Sequence, residues 1–192
     1  MTASSLFLRS IRRSHGLSQA LVAQRALTSA PSLSHIENGR RDPSADTLDR
    51  ILRATGNRLG VVPSPRAGSL EAGAAIHDEL AAGNTSAAYR SFIQFSDNLA
   101  AENGVTRVVL AANEPEPTGS ALWDAALAAV TEYWLGRDGL PLPEWVGSTT
   151  RSLSHRTVLS GNAYTQTVRD ENIPAPFAAR NVALDESALM SV

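Results

Sequence analysis

Histidine and carboxylate side chains are the residues of this chain whose chemistry would suit catalysis or metal binding. The sequence has four histidines and 19 aspartates and glutamates. Three such residues follow one another in His77-Asp78-Glu79, but consecutive residues of a helix point in different directions and do not share a face. Glu114 and Glu116 alternate with prolines, as in a solvated acidic loop. No nucleophile, base and orienting group come together, so the sequence predicts no catalytic residues, no metal site and no cofactor.

Two residue types are missing from the chain, and their absence excludes several classes of protein. Without cysteine there is no disulfide scaffold, thiolate zinc site, iron–sulfur cluster or cysteine nucleophile. All 17 basic residues are arginine, so a Walker A phosphate loop and a Schiff-base lysine are excluded too. No apolar run is long enough for a membrane span or a secretory signal, so we expect a cytoplasmic protein.

Charge is distributed unevenly along the sequence. Residues 1–66 carry ten arginines and four carboxylates, a net charge of +6, whereas residues 67–192 carry seven and fifteen, a net charge of −8. A basic segment joined to an acidic one indicates that one part meets a polyanion and the other does not. The proline- and glycine-bearing stretch around Pro63 and Gly68 is typical of a short, stiff linker. We therefore predict a domain at 1–62, a linker at 63–69 and a second domain at 70–192.

The basic domain is predicted to contain five short helices. Apolar residues recur there at helical spacing, and Ser18, Ser29 and Ser44 each precede such a stretch, as helix N-caps do. Gly16 and the loop at 39–43 are expected to end the helices before them. The predicted helices lie at 4–14, after Ser18, from Ser29 to about residue 38, after Ser44, and, as a short fifth element, at 58–62.

The stretch from Leu17 to Ser44, LSQALVAQRALTSAPSLSHIENGRRDPS, resembles the Xre/Cro-type helix-turn-helix repressors without a gap. The resemblance extends over about residues 6–60. It is carried by Leu17, Ser18, Gln19, Val22, Ala23, Ala26, Ser29, Leu33, Ile36, Glu37, Gly39, Arg40, Pro43 and Ser44, and is continued by Thr47, Leu48, Ile51, Leu52 and Ala54. It implies a lambda-repressor-like domain that binds double-stranded operator DNA. A homodimer is expected, because one short helix contacts too few base pairs for useful specificity.

The resemblance also implies which residues contact DNA. The first turns of the helix after Ser29 would enter the major groove. The candidates for base contacts are Ala30, Pro31, Ser34 and His35. The candidates for phosphate contacts are Ser18, Gln19, Ser29, Asn38, Arg40 and Arg41. Ala30 and Pro31 can touch thymine methyl groups but cannot hydrogen bond to a base edge, so we expect DNA shape to contribute much of the specificity.

Leu27 departs from the family pattern, because glycine usually occupies its position in the turn between the two helices. A non-glycine residue in the left-handed region costs about 1–2 kcal/mol. Either the turn has a different geometry here, or burial of the leucine side chain offsets the cost. Glu37 and Arg40, three residues apart, are interpreted as a structural or surface ion pair.

The acidic domain is predicted to be mainly helical, which makes the whole chain all-α. Helices are expected at 70–82, from Asn84 to about residue 103, and from Thr118 or Ser120 to residue 135. Val105–Ala112 fits either a buried strand or a helix. Residues 172–177 are expected to be extended, 182–184 to form a short strand and 185–190 a last helical turn, with Trp145 in the core.

Residues 112–146 and 173–192 resemble the C-terminal regions of bacterial helix-turn-helix proteins that are predicted antitoxins of nucleotidyltransferase-type toxins. This resemblance implies that residues 70–192 bind a toxin. The leading hypothesis is therefore the autoregulating antitoxin of a type II toxin–antitoxin pair, which represses its own operon. The alternative is a stand-alone transcription regulator whose helical C-terminal domain senses a small molecule. An enzyme is not expected.

Overall fold

The computed structural model describes residues 3–161 and 168–190 of the chain. The chain divides into two compact units, which we call the first unit (Met1–Pro63) and the second unit (Ser64–Val192). Each unit has its own hydrophobic core. Helices dominate both, as the sequence predicted. Among the described residues, no helix has the length and apolar character needed to cross a membrane.

The first unit contains the helices α1 (Ala3–Ser14), α2 (Gln19–Arg25), α3 (Ala30–Glu37) and α4 (Ala45–Ala54). The three predicted serine caps are confirmed. The hydroxyl of Ser18 accepts a hydrogen bond from the Leu21 N–H at 3.2 Å, and Ser29 and Ser44 do the same for Ser32 and Thr47 at 3.2 and 3.3 Å. Each cap satisfies an amide that the first helical turn leaves without a partner.

The predicted fifth helix at 58–62 is wrong, since residues 57–62 have no regular secondary structure. The segment combines Gly60 with two β-branched valines, and all three have poor helix propensity. Pro63 also disfavours helical backbone at the residue before it. The chain therefore leaves α4 through Gly56, at φ 84°, without starting another helix.

The core of the first unit is formed where the helical spacing predicted it. Its buried members come from all four helices, which pack their apolar faces against one another. They are Leu8, Ile11, Val22, Ala23, Ala26, Leu33, Ile36, Ile51 and Leu52. Because α2 and α3 both contribute to this core, their opposite faces are left for solvent.

The second unit contains α5 (Ser69–Ala81), α6 (Thr85–Ala101), α7 (Gly104–Ala111), α8 (Ala121–Arg137) and the short α9 (Ala175–Ala178). Two short strands, β1 (Thr157–Val158) and β2 (Val182–Ala183), pair in parallel, with Thr157 opposite Val182. Single 3₁₀ turns lie at Glu144–Gly147, Thr149–Arg151, Asp170–Asn172 and Glu186–Leu189.

Helix α8 is the centre of the second unit. It is buried on nearly every side, from Trp123 to Leu135, and a helix that is apolar all round belongs in a core. Phe92 of α6 packs edge-on against Trp123 and against Phe177 of α9, with ring centroids 6.2 and 6.5 Å apart. Trp145 is buried, as predicted, and its indole N–H donates to the Ala111 carbonyl at 3.0 Å.

Two expectations for the second unit are resolved by the structure. Residues 104–111 form a helix and not a strand. Residues 172–177 are not extended throughout, because α9 begins at Ala175 with Pro176 in its first turn. Proline suits that position, since the first N–H groups of a helix have no partner within the helix.

Three of the eight arginines of the second unit are buried, and each is held by a carboxylate and by one or more backbone carbonyls. Arg107 donates to Asp138 at 2.8 Å and to the Trp134 carbonyl at 2.9 Å. Arg151 donates to the Pro115 carbonyl at 2.7 Å and to Glu114. Arg180 reaches Glu132 at 2.6 Å and the carbonyls of Val146 and Pro176 at 2.9 Å. Arg107 and Arg180 thus link α7 and the segment around α9 to α8 or its C-terminal end, whereas Arg151 binds the loop at Glu114 and Pro115.

Candidate nucleic-acid interface

Helices α2 and α3 are joined by a tight turn that places them at an angle on the first core. The α2 C-cap is Ala26, and Leu27 follows with φ 50°, which is left-handed backbone. The Thr28 N–H returns to the Ala23 carbonyl at 2.9 Å, and Ser29 then caps α3. Left-handed backbone after the last residue of a helix is a common way to end it.

The face of α3 that points away from the core carries Pro31, Ser34 and His35, three of the four predicted base-contact residues. Pro31 and His35 are exposed, and Ala30 and Ser34 are half-buried. The opposite face is fully buried through Leu33, Ile36 and Glu37. The structure thus brings Pro31, Ser34 and His35 together on one accessible surface, whereas Ala30 packs against the core of the first unit. Contact of all four residues with DNA stays a prediction.

The predicted phosphate-contact residues fall into two groups. Arg40 and Arg41 are exposed in the loop after α3, where the Arg41 guanidinium donates to the Ser32 hydroxyl at 3.4 Å. Asn38, also exposed, donates to the Ser34 hydroxyl at 3.3 Å. Ser18, Gln19 and Ser29 lie instead at helix starts, and Ser18 and Ser29 use their hydroxyls for capping.

Gln19 has an internal role that the sequence did not predict. Its side-chain N–H donates to the Glu37 carboxylate at 2.8 Å, so the amide is held against α3. Arg12 of α1 approaches the same carboxylate with two N–H groups, at 2.6 and 2.9 Å, and donates to the Leu17 carbonyl at 2.9 Å. Glu37 is only 2% exposed, and hydrogen bonds of this kind compensate a buried carboxylate for the water that it has lost.

The ion pair of Glu37 therefore corrects the prediction from the sequence, which paired Glu37 with Arg40. Arg40 is three residues away along the chain and exposed, whereas Arg12 is 25 residues away and reaches inward. Local spacing favours the near arginine, and only the packing of α1 on α3 brings the distant one to the carboxylate. The hydrogen bonds to Glu37 thus link α1, α2 and α3 and fix the orientation of α3 relative to the other two helices.

Arg9 is a second residue that sequence reasoning missed. Its guanidinium donates to the Glu37 carbonyl at 2.7 Å and to the Asn38 side chain at 3.3 Å. A cation at the C-terminal end of a helix is favourable, because the last carbonyls have no partner there. Arg9 thereby orients Asn38, and it adds positive charge at the end of α3 next to Arg40. The signal in the sequence was the basic face of α1, formed by Arg9, Arg12 and Arg13.

Outside this surface, the described residues hold no cluster of three histidines or carboxylates that would bind a metal ion. His77 is close to a backbone carbonyl, with Nδ1 3.1 Å from the Thr118 oxygen. His155 Nδ1 lies 2.9 Å from the Ser154 hydroxyl in an exposed loop.

The comparisons with known proteins concern the first unit. Residues 8–61 match the family model described as helix-turn-helix. The first unit is a helix-turn-helix domain. The match covers α1 to α4 and the segment after α4, which is less than a third of the chain. No curated protein and no solved structure matches the chain.

Proposed function

We propose that the protein is a transcriptional repressor that binds a specific operator sequence through the outer face of α3. The helix-turn-helix match indicates a DNA-binding transcription regulator. The observation that carries the finer proposal is the surface described above. The exposed residues of α3 lie beside Arg40 and Arg41, opposite a fully buried face.

Base contacts would come from the first two turns of α3. The major groove is about 12 Å wide, which admits one helix. Pro31 and Ala30 offer apolar contact to thymine methyl groups, and His35 and Ser34 offer hydrogen bonds to base edges. With so few polar groups on this face, deformability of the operator would contribute a large share of the specificity.

Phosphate contacts would depend on arginine, since the chain has no lysine. Arg40 and Arg41 are exposed beside the end of α3, and Arg9 is half-buried beside Asn38. The guanidinium fork can hold a phosphate with two parallel hydrogen bonds, which fixes the register of the protein on the duplex. Two copies would be needed to contact two half-sites about 34 Å apart.

Paired substitutions test this proposal by separating base contacts from phosphate contacts. We expect Arg40→Ala to weaken binding similarly on every sequence, and to lower the slope of log affinity against log salt by about one. We expect His35→Ala to change which sequences are preferred. The measurement is selection from a random duplex library, followed by titration at several salt concentrations.

Arg90→Ala is the matched control for this test, because Arg90 is an exposed arginine of the second unit. It should leave both affinity and sequence preference unchanged. An unchanged preference in His35→Ala would remove His35 from the base contacts. Failure of the wild-type chain to enrich any sequence would overturn the proposal itself.

We propose further that the protein is the antitoxin of a type II toxin–antitoxin pair, with the second unit binding the toxin. Two observations support this. Residues 67–192 have a net charge of −8, which suits a basic partner. Val105 and Val109, one turn apart on α7, are 79% and 38% exposed, and exposed apolar residues so placed are typical of interfaces. The resemblance of residues 112–146 and 173–192 to antitoxins points to the same function.

Co-expression with the product of the adjacent gene tests the antitoxin proposal. We expect that product to arrest growth, the present chain to restore it, and the two proteins to purify together. Val105→Asp should weaken the complex. Leu142→Asp, which changes a different exposed apolar residue of the second unit, should not. No growth rescue and no complex would contradict the proposal without affecting DNA binding.

A ligand-sensing second unit is the other candidate, and one observation favours it. A cleft of about 390 Å³ lies between α5 and α6. Its walls include apolar Ala72 and Phe95 and polar Glu71, Arg90 and Gln94. A small molecule bound there would raise the unfolding temperature of the second unit, and the shift would grow with the logarithm of the ligand concentration above its dissociation constant. A metabolite screen read by tryptophan fluorescence would detect it, because Trp123, Trp134 and Trp145 all lie in that unit.

A further inference from the structure

The cleft between α5 and α6 combines an apolar wall with polar side chains of both charges. Its volume of about 390 Å³ lies at the lower end of the range of about 300–1,000 Å³ that small-molecule sites occupy. The apolar wall is formed by alanines and by Phe95. The polar lining residues are Glu71 on α5 and Arg90, Ser91, Gln94 and Asn98 on α6. The chemistry of a ligand for this cleft therefore depends on where the two charges stand.

The antiparallel course of the two helices separates these charges. Only residues 82–84 connect α5 to α6, so the two helices form a hairpin. In such a hairpin Ala75 comes about level with Ser91, and Glu71 about level with Phe95. Arg90 is then offset from Glu71 by roughly 7 Å along the helix axes, at 1.5 Å of rise per residue. One end of the cleft is therefore cationic and the other anionic.

The two charged groups do not neutralise each other. Within the part of the chain that the structure describes, Arg90 forms no ion pair or hydrogen bond, and the Ser91 hydroxyl has no partner either. Glu71 accepts the Gly68 N–H through Oε2 at 3.1 Å, and its Oε1 atom has no hydrogen bond among the same residues. A guanidinium and a carboxylate that line one cleft without pairing can each bind an opposite charge on a ligand.

We propose that this cleft binds a small zwitterion whose ammonium and carboxylate groups stand at opposite ends of a short apolar chain. This proposal rests on the ligand-sensing candidate for the second unit, and it names the chemical class of the ligand. The ligand carboxylate accepts hydrogen bonds from Arg90 and Ser91, and the ligand ammonium donates to Glu71. The methylene groups between them pack on Ala75 and Phe95.

The separation of the charges disfavours other classes of small molecule. An α-amino acid holds its ammonium and carboxylate too close together to reach both ends of the cleft. A nucleotide brings several negative charges to a cleft with one arginine, and these charges are repelled by Glu71. An uncharged apolar molecule leaves the guanidinium and the carboxylate without a partner.

The cleft also adjoins the segment that precedes α5. Ala67 is one of its lining residues, and the buried Asn98 donates to the Ala67 carbonyl at 3.0 Å. Gln94 donates in turn to the Asn98 side chain at 3.1 Å, and Ser64 is held by Glu102 at 2.7 Å. A ligand in the cleft therefore lies against the segment through which the second unit continues into the rest of the chain. Its binding should slow amide hydrogen exchange at residues 64–68.

Titration of the full-length chain with a matched set of probes tests the class of ligand. The probes are ε-aminocaproate, caproate, hexylamine and glycine, all at the same ionic strength. We expect ε-aminocaproate to raise the unfolding temperature read by tryptophan fluorescence and to shift the amide resonances of residues 67–75 and 90–98. Caproate and hexylamine should each bind about tenfold more weakly, because each lacks one charged contact. Glycine should shift neither signal.

Substitutions in the cleft separate a binding role from a structural one. Glu71→Gln removes the charge and keeps an acceptor for the Gly68 N–H, since glutamine also serves at this helix position. It should weaken ε-aminocaproate about tenfold and leave caproate unchanged. Arg90→Gln should weaken ε-aminocaproate and caproate and leave hexylamine unchanged. Glu79→Gln, at a carboxylate of α5 outside the cleft, is the control and should alter none of the three.

The outcomes distinguish this proposal from the function on which it rests. No binding by ε-aminocaproate, equal binding of all four probes, or binding that is independent of Glu71 and Arg90 would overturn the zwitterion site. If a metabolite of another class raises the unfolding temperature and shifts the same resonances, the class is wrong while ligand sensing stands. If ε-aminocaproate binds as expected but changes neither hydrogen exchange at residues 64–68 nor operator affinity, the site is right and ligand sensing fails. Operator titrations without these probes keep Arg90→Ala as their control.

Discussion

At Leu27 the strain of left-handed backbone can be compared directly with the side-chain burial that was expected to offset it. Its φ of 50° is the backbone that glycine adopts freely, and its side chain is 87% exposed. Neither alternative from the sequence holds, because the turn keeps the left-handed geometry and burial offsets nothing. The backbone strain at Leu27 is therefore not offset by burial of its side chain, and it lowers the stability of the first unit.

Replacing Leu27 by glycine should stabilise the first unit. Relief of about 1–2 kcal/mol of strain, less the extra freedom of glycine in the unfolded chain, leaves a gain of about 0.5–1 kcal/mol. Urea unfolding followed by far-ultraviolet circular dichroism measures it. Leu27→Ala is the control, since alanine adopts the same strained backbone and should change little. Equal stability of Leu27→Gly and Leu27→Ala would contradict this account.

Asp97 on α6 makes the stability of the second unit depend on pH. Burial raises the pKa of its carboxyl above the usual value, and its Oδ1 atom has no hydrogen-bond partner among the described residues. A raised pKa in the folded state means that protonation favours folding. The contribution of Asp97 therefore becomes more favourable as the pH falls through its folded pKa.

Asp97→Asn should accordingly stabilise the second unit at neutral pH, by about 1 kcal/mol or less, because it removes the charge of a half-buried carboxyl whose Oδ1 atom has no hydrogen-bond partner among the described residues. The gain should shrink in acid, where the wild-type carboxyl is neutral as well. Tryptophan fluorescence during urea unfolding at several pH values checks both effects. Asp78→Asn, at an exposed carboxylate, should give no such trend. If the stabilisation by Asp97→Asn grew as the pH fell, this account of Asp97 would be wrong.

At the scale of elements, the Glu37 carboxylate holds α1, α2 and α3 together. It binds Arg12 with two hydrogen bonds and Gln19 with one, and it is nearly inaccessible to solvent. Removing one partner of a buried ion pair leaves the other charge without compensation. That loss is larger than the net contribution of the intact pair.

Glu37→Gln should therefore destabilise the first unit by about 3 kcal/mol, and it should weaken DNA binding because the orientation of α3 depends on this link. Circular dichroism and operator titration measure the two effects. Asp49→Asn is the matched control. Asp49 pairs with Arg53 on the surface, where the hydrogen bond from Arg53 lowers the pKa of the carboxyl. Solvent screens that pair, so its removal should change stability little.

Local chemistry made the helix starts predictable. Ser18, Ser29, Ser44 and Asn84 cap the helices that follow them, as the sequence indicated, because a cap involves residues only three positions apart. The segment after α4 was misassigned as a helix. Its valines fit an apolar helical face, but Gly60, the β-branching of the valines and the following Pro63 all disfavour helical backbone there.

For the whole molecule, two separate cores predict two unfolding transitions. Tryptophan and the described tyrosines occur only in the second unit, so fluorescence reports that unit, while circular dichroism reports the helices of both. We expect Glu37→Gln to shift the unfolding transition of the first unit, which circular dichroism detects and tryptophan fluorescence does not. Arg180→Met should shift the fluorescent one, since Arg180 fastens α9 and the Val146 turn to Glu132 of α8. Coincident transitions that move together in both variants would contradict separate folding.

The amino-acid sequence alone determined the helical class, the caps, the turn and the exposed face of α3, because these follow from neighbouring residues and from helical periodicity. Only the tertiary structure decided which charged side chains form buried ion pairs. Arg12 reaches Glu37 across 25 residues, and Arg107, Arg151 and Arg180 enter the second core although their carboxylate partners lie far along the chain. A count of charges treats every arginine alike, whereas a buried ion pair forms only where packing brings two side chains within hydrogen-bond distance and removes water from around them.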